Sequence, residues 1–454
     1  MKTPNVQPKF TSRLGFIAAA AGSAVGLGNI WKFPYEVGTH GGASFLFIYL
    51  ICITLLGYPI VVAELAFGKA MQNDTEGITT SAKKWTLCLT LSTTLSLLMM
   101  MSLYHTISGW VFGYLIATLN GTLLSTDNPA IFFKNFVQNT PYAIGYSLPP
   151  LLAAALIILN DVKQGIERWA KRLIPLFLLL LLGLILYAFT LENAWEGIQF
   201  YLIPHWDAIT LEVILSALAH CFFSLSVGIG VMITYGSYMR KEDSIAQAAA
   251  LITLSDTLVA FLAGLFLFPF IFSQHMQPSQ GCQLAFVTLP AIFQSLGYVL
   301  GNTMGSMFFL LLAFAALTSS ISALEGMAAY LTRNYGLKRK AAVYWVVVAT
   351  YLPALPTLLS CGGSTFFTNF WCYNGTTYSF MDLVDKALSI ALPSTCFVFT
   401  LFLASHPKKL ALLLSAIGIQ KHTILARYLR WMLAYGCPLL LGTILCYSCY
   451  SLVK

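Results

Sequence analysis

Two short stretches of this chain carry residue types that could hold a small cation and a carboxylate side by side. The first is Gly22-Ser23-Ala24-Val25-Gly26-Leu27-Gly28-Asn29, and the second is Phe222-Phe223-Ser224-Leu225-Ser226-Val227-Gly228-Ile229-Gly230. Within them, Val25-Gly26-Leu27-Gly28 and Val227-Gly228-Ile229-Gly230 are near copies. Glycine at this density weakens a helix, and an unwound helix exposes carbonyl oxygens that suit a hard cation. The same break leaves a half-helix N-terminus, whose partial positive charge suits a carboxylate. Thr318-Ser319-Ser320 adds hydroxyl oxygens of the same kind. Taken singly, each motif has a plainer reading. Glycines also serve close helix packing, and Thr and Ser hydroxyls also bond back to the preceding turn.

The elements that position these residues are membrane spans. The chain has 454 residues, 58% hydrophobic and 9% charged, with a mean hydropathy of +0.76. Soluble domains carry roughly 25% charged residues. Apolar runs lie near 14–37, 43–68, 86–118, 141–159, 173–190, 211–238, 245–272, 300–332, 341–360, 382–404 and 425–450. Each is about long enough to cross a ~30 Å hydrocarbon core. The first run continues into Trp31-Lys32-Phe33-Pro34 with no cleavage-site pattern, so it reads as a span and not as a signal peptide. With a cytoplasmic N-terminus, all but Lys32, Lys134, Lys386 and Lys454 of the 25 Lys and Arg residues fall on the cytoplasmic side. That is the positive-inside bias, and it predicts eleven spans in a cell inner (plasma) membrane. The net charge of +8 therefore reports orientation in a lipid bilayer, not a nucleic-acid partner.

The two glycine-rich stretches open corresponding spans, the first and the sixth. Five spans separate them, an odd number, so the two halves of the chain are inverted relative to each other. The expected fold is an all-α polytopic membrane protein. It has an inverted five-plus-five helix repeat with broken helices 1 and 6 (repeat one about 10–190, repeat two about 205–405). An extra span at about 425–450 completes a single transmembrane domain over 1–450. Matched interruptions in two inverted halves mark a mid-membrane transport site, a rule for which carriers of this architecture are the type case. The ten cysteines show no metal spacing. Most lie in apolar spans, where a thiol packs as a small hydrophobe. Cys282, Cys361 and Cys372 fall in outer loops, and Cys361 and Cys372 could pair in an oxidising compartment. The sequon Asn374-Gly375-Thr376 is too short a signal to use.

Several motifs together resemble the neurotransmitter:sodium symporter family, most closely its bacterial eleven-span amino-acid transporters. They are Gly22 to Asn29, Lys32-Phe33-Pro34, Gly41-Gly42-Ala43-Ser44-Phe45, Glu64, Phe222 to Ser226, Ile233-Thr234-Tyr235-Gly236-Ser237-Tyr238 and Leu317-Thr318-Ser319-Ser320, in register from about residue 10 to 405. The resemblance implies sodium-driven uptake of a small-molecule amino acid by alternating access, and no enzymatic activity. It implies one Na+ site from the carbonyls of Gly22, Val25 and Ala315 and the hydroxyls of Thr318 and Ser319. A second Na+ site would use Ala24, Asn29, Ser224 and the substrate carboxylate. There the family often has Asn where this chain has Ser255, with Asp256 beside it; either could offer an oxygen. The family's Cl- positions correspond to Tyr49, His220, Ser224, Ser255 and Val259, and His220 and Val259 depart from the pattern, so chloride use stays open.

The same resemblance places the substrate against Ala24, Gly26, Leu27, Gly28, Met100, Tyr104, Phe223, Ser226, Ile229, Ser320 and Ala323. Tyr104 sits six residues before Trp110, the family spacing for the tyrosine that bonds the substrate carboxylate. Gly26 stands where amine-transporting relatives carry an aspartate, which favours an amino acid bringing its own carboxylate; the pocket suggests a neutral, apolar side chain. Glu64 resembles the structural acid that braces the unwound backbone of helices 1 and 6. The outer gate would be Lys32 with Asp385, under a lid of Phe223 and Tyr104. At the inner end the family's Arg and Trp correspond to Gln7 and Phe10, and Glu325 is either a pathway residue or a structural acid. Three rivals stand beside this reading. A proton-coupled amino-acid transporter of similar fold could put a cation where sodium would sit, yet no Lys or Arg lies inside any span apart from Lys32 and Lys386 near outer ends. An intramembrane enzyme would need paired acids, whereas Glu64, Asp256 and Glu325 lie on different spans. A non-transporting amino-acid-binding relative is the third. Oligomeric state is not legible.

Overall fold

The computed structural model describes residues 9–72, 83–276, 283–373, 375–417 and 423–453. Gln7, Cys282 and Asn374 lie outside these residues, as do Lys2, Lys421 and Lys454.

Among the described residues, nine unbroken helices are long and apolar enough to cross a bilayer. A tenth crossing is the pair Arg13–Ala24 and Gly28–Thr39, bent by 51° at its break. Leu211–Ser224 and Val231–Ser237 form a second broken element in the position of the sixth span. The unbroken spans are Ala43–Ala70, Leu87–Leu119, Thr140–Leu159, Val162–Ala188, Ile245–Ser273, Tyr298–Tyr335, Arg339–Leu359, Phe380–Ser405 and Ile424–Cys449. The fifth begins at Val162 and not near 173. Its first turns hold Lys163, Arg168, Lys171 and Arg172, which break the apolar pattern but can extend their charged ends to the interface. Between spans, the helices Pro129–Gln138, Ala194–Leu202, Leu284–Ser295 and Pro407–Ala416 and a hairpin pairing Trp371 with Tyr378 were not expected.

Local chemistry sets the starts of several elements. Ser12 accepts from the Gly15 N–H, Thr210 from Val213 and Ser244 from Gln247. Ser379 and Asp382 form a reciprocal capping box. Each satisfies helix-end donors that hydrocarbon cannot.

The central helices are span 3 (Leu87–Leu119) and span 8 (Tyr298–Tyr335). Span 3 packs against spans 4, 8, 9 and 10, and span 8 against spans 1, 3, 4, 5 and 9. The broken spans 1 and 6 lie against this frame. Van der Waals fit, rather than hydrophobic segregation, drives such packing in lipid. Small residues therefore mark the closest approaches. A Cβ at Gly68 would collide with the Ile233 carbonyl and one at Gly236 with that of Leu65, so spans 2 and 6 touch backbone to backbone. Among the described residues, Cys361 and Cys372 form no disulfide with each other or with another cysteine. Cys361 is half-buried beside Met381, its Sγ 3.8 Å from the Met381 sulfur, while Cys372 is exposed on the hairpin.

Candidate functional site

Span 1 stops because Val25 turns extended (φ −67, ψ 96). Its chain resumes as a wide helical turn at Gly28–Lys32 that runs directly into Phe33–Thr39, with Pro34, which has no N–H to donate, just past the junction. Span 6 stops at Ser224, and Ser226 (φ 53), Gly228 (φ 81) and Gly230 (φ 76) carry the chain through left-handed conformations. For Ser226, a residue with a side chain, that conformation stores strain. Breaking a helix at this depth frees backbone groups that need partners. The Gly26 N–H donates to Asn29 Oδ1 at 2.9 Å, and the Leu27 N–H to the Tyr104 hydroxyl at 3.4 Å. The Gly228 N–H donates to Glu64 Oε1 at 2.8 Å. Glu64 thus braces the break in span 6, while Asn29 and Tyr104 brace that of span 1; Glu64 Oε2 is buried without a partner.

Ser23 ties the two breaks together. Its carbonyl accepts from Ser226 Oγ at 3.2 Å and from Ser319 Oγ at 3.3 Å, joining spans 1, 6 and 8. On the same side, a Cβ at Gly22 would lie 3.6 Å from Thr318 Cβ, so Gly22 faces Thr318. Thr318 Oγ1 bonds back to the Phe314 and Ala315 carbonyls, both at 3.1 Å. Ala24, Ala315, Leu27 and Ser320 are buried nearby in sequence, at 3%, 1%, 3% and 1% exposure. The donor set facing the end of Arg13–Ala24 is carbonyl and hydroxyl oxygen, the chemistry of a hard cation.

A second polar cluster lies beyond Asn29. Asn29 Nδ2 donates to Asp256 Oδ1 at 2.7 Å, to the Asp256 carbonyl at 3.1 Å and to Ser224 Oγ at 3.3 Å. Ser224 Oγ donates to Asp256 Oδ2 at 2.8 Å, and the Tyr49 hydroxyl to the same oxygen at 3.4 Å. Asp256 is fully buried, whereas Ser255 is half-buried and takes part in none of these bonds. Of the two candidates on span 7, the structure brings Asp256 to Asn29 and Ser224. His220 stands beside the cluster, its ring 5.7 Å from that of Tyr49 and 5.6 Å from that of Phe33, with both nitrogens buried and unpartnered. Val259 is buried on span 7, the helix of Asp256.

Between the breaks lies a small cavity lined by Ser23, Met100, Met101, Tyr104, Ser226, Ile229, Val231, Ser319 and Ala323. As it stands it has room for at most one water molecule. Five of the expected substrate contacts line it (Met100, Tyr104, Ser226, Ile229 and Ala323), while Ala24, Gly26, Leu27, Gly28, Phe223 and Ser320 do not. A Cβ on Gly26 would approach Ser319 Oγ to 2.7 Å and the Tyr104 hydroxyl to 3.1 Å, so the missing side chain leaves the room these groups occupy. Phe223 instead covers Gly28, where a Cβ would meet its ring at 2.9 Å.

The expected outer pair does not form. Lys32 Nζ lies over the Phe223 ring at 4.2 Å, and Asp385 is exposed with no ion pair to Lys32 among the described residues. A compact ammonium gains from an aromatic face what it would gain little from across solvent. At the start of span 1, the end expected to face inward, Phe10, 2% exposed, packs edge-on against Phe16 at 5.4 Å and Tyr235 at 5.9 Å. Glu325 is fully buried, accepts from the Tyr238 hydroxyl at 2.6 Å and forms an ion pair with Arg339, which also donates to the Ile158 carbonyl at 2.6 Å.

Sequence reasoning did not single out Ser23, Met101, Val231 or Glu167. Glu167 accepts from the Thr11 N–H and Thr11 Oγ1 at 2.8 Å, from Ser12 Oγ at 2.9 Å and from Lys171 at 2.7 Å, anchoring the start of span 1 to span 5. Its one visible signal was an acid i,i+4 from a lysine at a span end. Ser23 acts through its carbonyl, which no side-chain pattern reveals.

The chain matches the sodium:neurotransmitter symporter family over residues 7–135 and 146–449. It is 36% identical over 425 residues to YhdH, an uncharacterized sodium-dependent transporter of Bacillus subtilis, with 89% of each chain covered. A second uncharacterized sodium-dependent transporter, from Haemophilus influenzae, is 31% identical over 430 residues, 90% of this chain and 92% of that one. The crystal structure of MhsT in complex with L-phenylalanine matches with a TM-score of 0.87 at 34% identity, over 97% of this chain and 100% of that chain. The fold is accordingly the inverted five-plus-five bundle with broken helices 1 and 6 and an extra span. A family match that runs through both halves, and relatives above 30% identity along almost their full length, lead to one conclusion: this chain belongs to the sodium:neurotransmitter symporter family of sodium-dependent membrane transporters.

Proposed function

We propose that this protein is a sodium-coupled symporter that imports a neutral, apolar amino acid by alternating access. The observation that carries the reading is the meeting of two helix breaks and span 8 at the Ser23 carbonyl, with Ser226 and Ser319 both donating to it. Three elements that share one polar point can be locked or released together by what binds there.

One sodium would be held by the Gly22, Val25 and Ala315 carbonyls with Thr318 and Ser319. The second would be held by Ala24, Asn29, Ser224 and the substrate carboxylate, with Asp256 taking the role considered for Ser255. Asp256 already accepts from Asn29 and Ser224, so a side-chain carboxyl of the chain itself stands where it would supply the negative charge of the second site. On this reading uptake does not require chloride. The Tyr104 hydroxyl and the Leu27 N–H, paired at 3.4 Å, would both turn to the substrate carboxylate. Met100, Met101, Ile229, Val231 and Ala323 would open around an apolar side chain. MhsT, solved with L-phenylalanine, supports that class of substrate. Ion binding across spans 1 and 8 stabilises one arrangement of the bundle, and differential affinity for the two arrangements moves the equilibrium. Spans 1, 2, 6 and 7 would rock against the rest, as one transmembrane domain of two halves (about 10–190 and 205–405), with the N-terminus in the cytoplasm and the protein in the plasma membrane.

The test is competition against radiolabelled L-phenylalanine and L-leucine on purified protein. Apolar amino acids should displace the label in sodium but not in potassium. Displacement by an amine lacking a carboxylate, or no binding of either label, contradicts the reading.

A further inference from the structure

The connection from span 10 into span 11 carries five cations, Lys408, Lys409, Lys421, Arg427 and Arg430, and no Asp or Glu follows Asp385 in the chain. At other span ends the cations meet acids of the chain itself: Lys171 pairs with Glu167, Arg240 with Asp243 and Arg339 with Glu325. Among the described residues, Lys408, Arg427 and Arg430 form no ion pair. Span 11 opens with the helix Ile424–Trp431, in which Ala426 and Leu429 are buried and Arg427, Arg430 and Trp431 are exposed. Tyr428 fixes the rotation of this helix, its hydroxyl donating to the Thr54 carbonyl of span 2 at 2.5 Å. The helix Pro407–Ala416 touches it and adds the exposed Lys408, whereas Lys409 lies over the Phe402 ring at 4.9 Å. Deeper along span 11 the exposed side turns apolar. Trp431, Tyr435 and Leu439 follow Arg427 at four-residue steps and are 60%, 69% and 70% exposed. The Trp431 ring reaches down the span to Gly436, 3.2 Å from where a Cβ would stand. At ~1.5 Å per residue, Leu439 lies roughly 18 Å deeper than Arg427, about one leaflet of a ~30 Å hydrocarbon core. Cations without acids at a membrane face attract anionic headgroups, and a tryptophan just below them suits the boundary between headgroup and chain. Negative charge above and hydrocarbon below are joined in one molecule, an anionic phospholipid.

We propose that Arg427 and Arg430 bind the headgroup of an anionic bilayer phospholipid of the phosphatidylglycerol class, with an acyl chain along Trp431, Tyr435 and Leu439. A zwitterionic headgroup sets its own cation beside its phosphate, so lipids with identical tails are sorted here by net charge. Native mass spectrometry of the delipidated protein with an equimolar mixture of dioleoyl phosphatidylglycerol, phosphatidylethanolamine and phosphatidylcholine reads the preference. Quenching of tryptophan fluorescence by phosphatidylglycerol with brominated chains, compared between the native chain and Trp431→Phe, reads the location. A cation near an anionic surface supplies about fivefold in affinity, so the native chain should retain phosphatidylglycerol about five- to thirtyfold over either zwitterionic lipid. Arg427→Gln and Arg430→Gln should each lower that ratio about fivefold, while Arg427→Lys with Arg430→Lys should keep most of it. Arg168→Gln, at an exposed cation of span 5, should leave the ratio unchanged. Trp431→Phe should remove part of the quenching, and the double glutamine variant should lose that same part. Inorganic phosphate at matched ionic strength should not displace the brominated lipid. Equal retention of the three lipids, an unchanged ratio in the double glutamine variant, or an equal fall in Arg168→Gln overturns the proposal. So does equal quenching in the native chain and Trp431→Phe, or displacement by phosphate, which would make this a site for free anions. None of these readouts depends on transport.

Discussion

The Asp256 carboxylate accepts from Asn29, Ser224 and Tyr49 together, so a change there acts on three bonds. Asp256→Asn keeps the size but removes the charge and turns an NH2 toward one of those donors. Hydrogen bonds to charged groups are worth about 1.5–3 kcal/mol, which corresponds to roughly ten- to a hundredfold in affinity. Sodium titration of substrate binding should show a rise of that size in half-saturation for Asp256→Asn. Ser255→Ala should stay within about twofold, as expected for a side chain that takes no part in the Asn29, Ser224 and Asp256 cluster. Equal effects of the two changes would return the site to Ser255. Thr318→Val tests the other proposed cation site: it deletes one oxygen at nearly constant volume, and sodium dependence should weaken while folding is kept. An unchanged sodium affinity removes Thr318 from that site. Residues such as Thr318 and Gly26 were legible because oxygen donors and glycine breaks are chemical types. The choice between Ser255 and Asp256 was not, because neighbours on a helix point about 100° apart and one sequence does not say which faces inward. Lys32 escaped for a similar reason: its partner is the Phe223 ring, chosen by packing and not by charge.

At the scale of elements, the two breaks were visible as repeated glycines, and their bracing was only partly so. Glu64 was expected to serve both broken helices, yet it bonds the Gly228 N–H alone. Span 1 found its own acceptors in Asn29 and Tyr104, a solution set by the fold of its turn. Glu64→Gln retains a carbonyl oxygen for Gly228 and should leave the thermal midpoint close to native. Glu64→Ala leaves a buried N–H unpaired, a cost of about 1–3 kcal/mol, and should lower the midpoint clearly in a detergent melt. Similar midpoints for the two variants would mean that the bond does not brace the break. Gly228→Ala should also destabilise, because φ 81 disfavours a side chain and its Cβ would meet Cys396 Sγ at 2.9 Å. The span boundaries followed hydropathy except where Lys163 to Arg172 interrupted it, and the amphipathic interspan helices lacked a signal strong enough to separate them from loops.

For the whole molecule, the end of the bundle at the start of span 1 is tied by contacts that spacing alone did not predict: Phe10 on Tyr235, and Glu325 held by Tyr238 and Arg339. Arg339→Ala leaves a buried carboxylate without its cation, a loss of about 3–5 kcal/mol from the closed arrangement. A cysteine placed at Ser322, which bonds Tyr235 at 2.6 Å, should then label faster from the cytoplasmic side than in the native background. Unchanged labelling would mean that this pair does not hold the inner end shut. These closures matter only if ions and substrate move the bundle between arrangements. Uptake of radiolabelled L-leucine or L-phenylalanine into proteoliposomes tests that directly, with an inward sodium gradient compared with equal potassium or choline. The account predicts concentrative uptake with sodium alone, abolished when the gradient is collapsed and unaffected by replacing chloride with gluconate. Equal uptake in sodium, potassium and choline would contradict it.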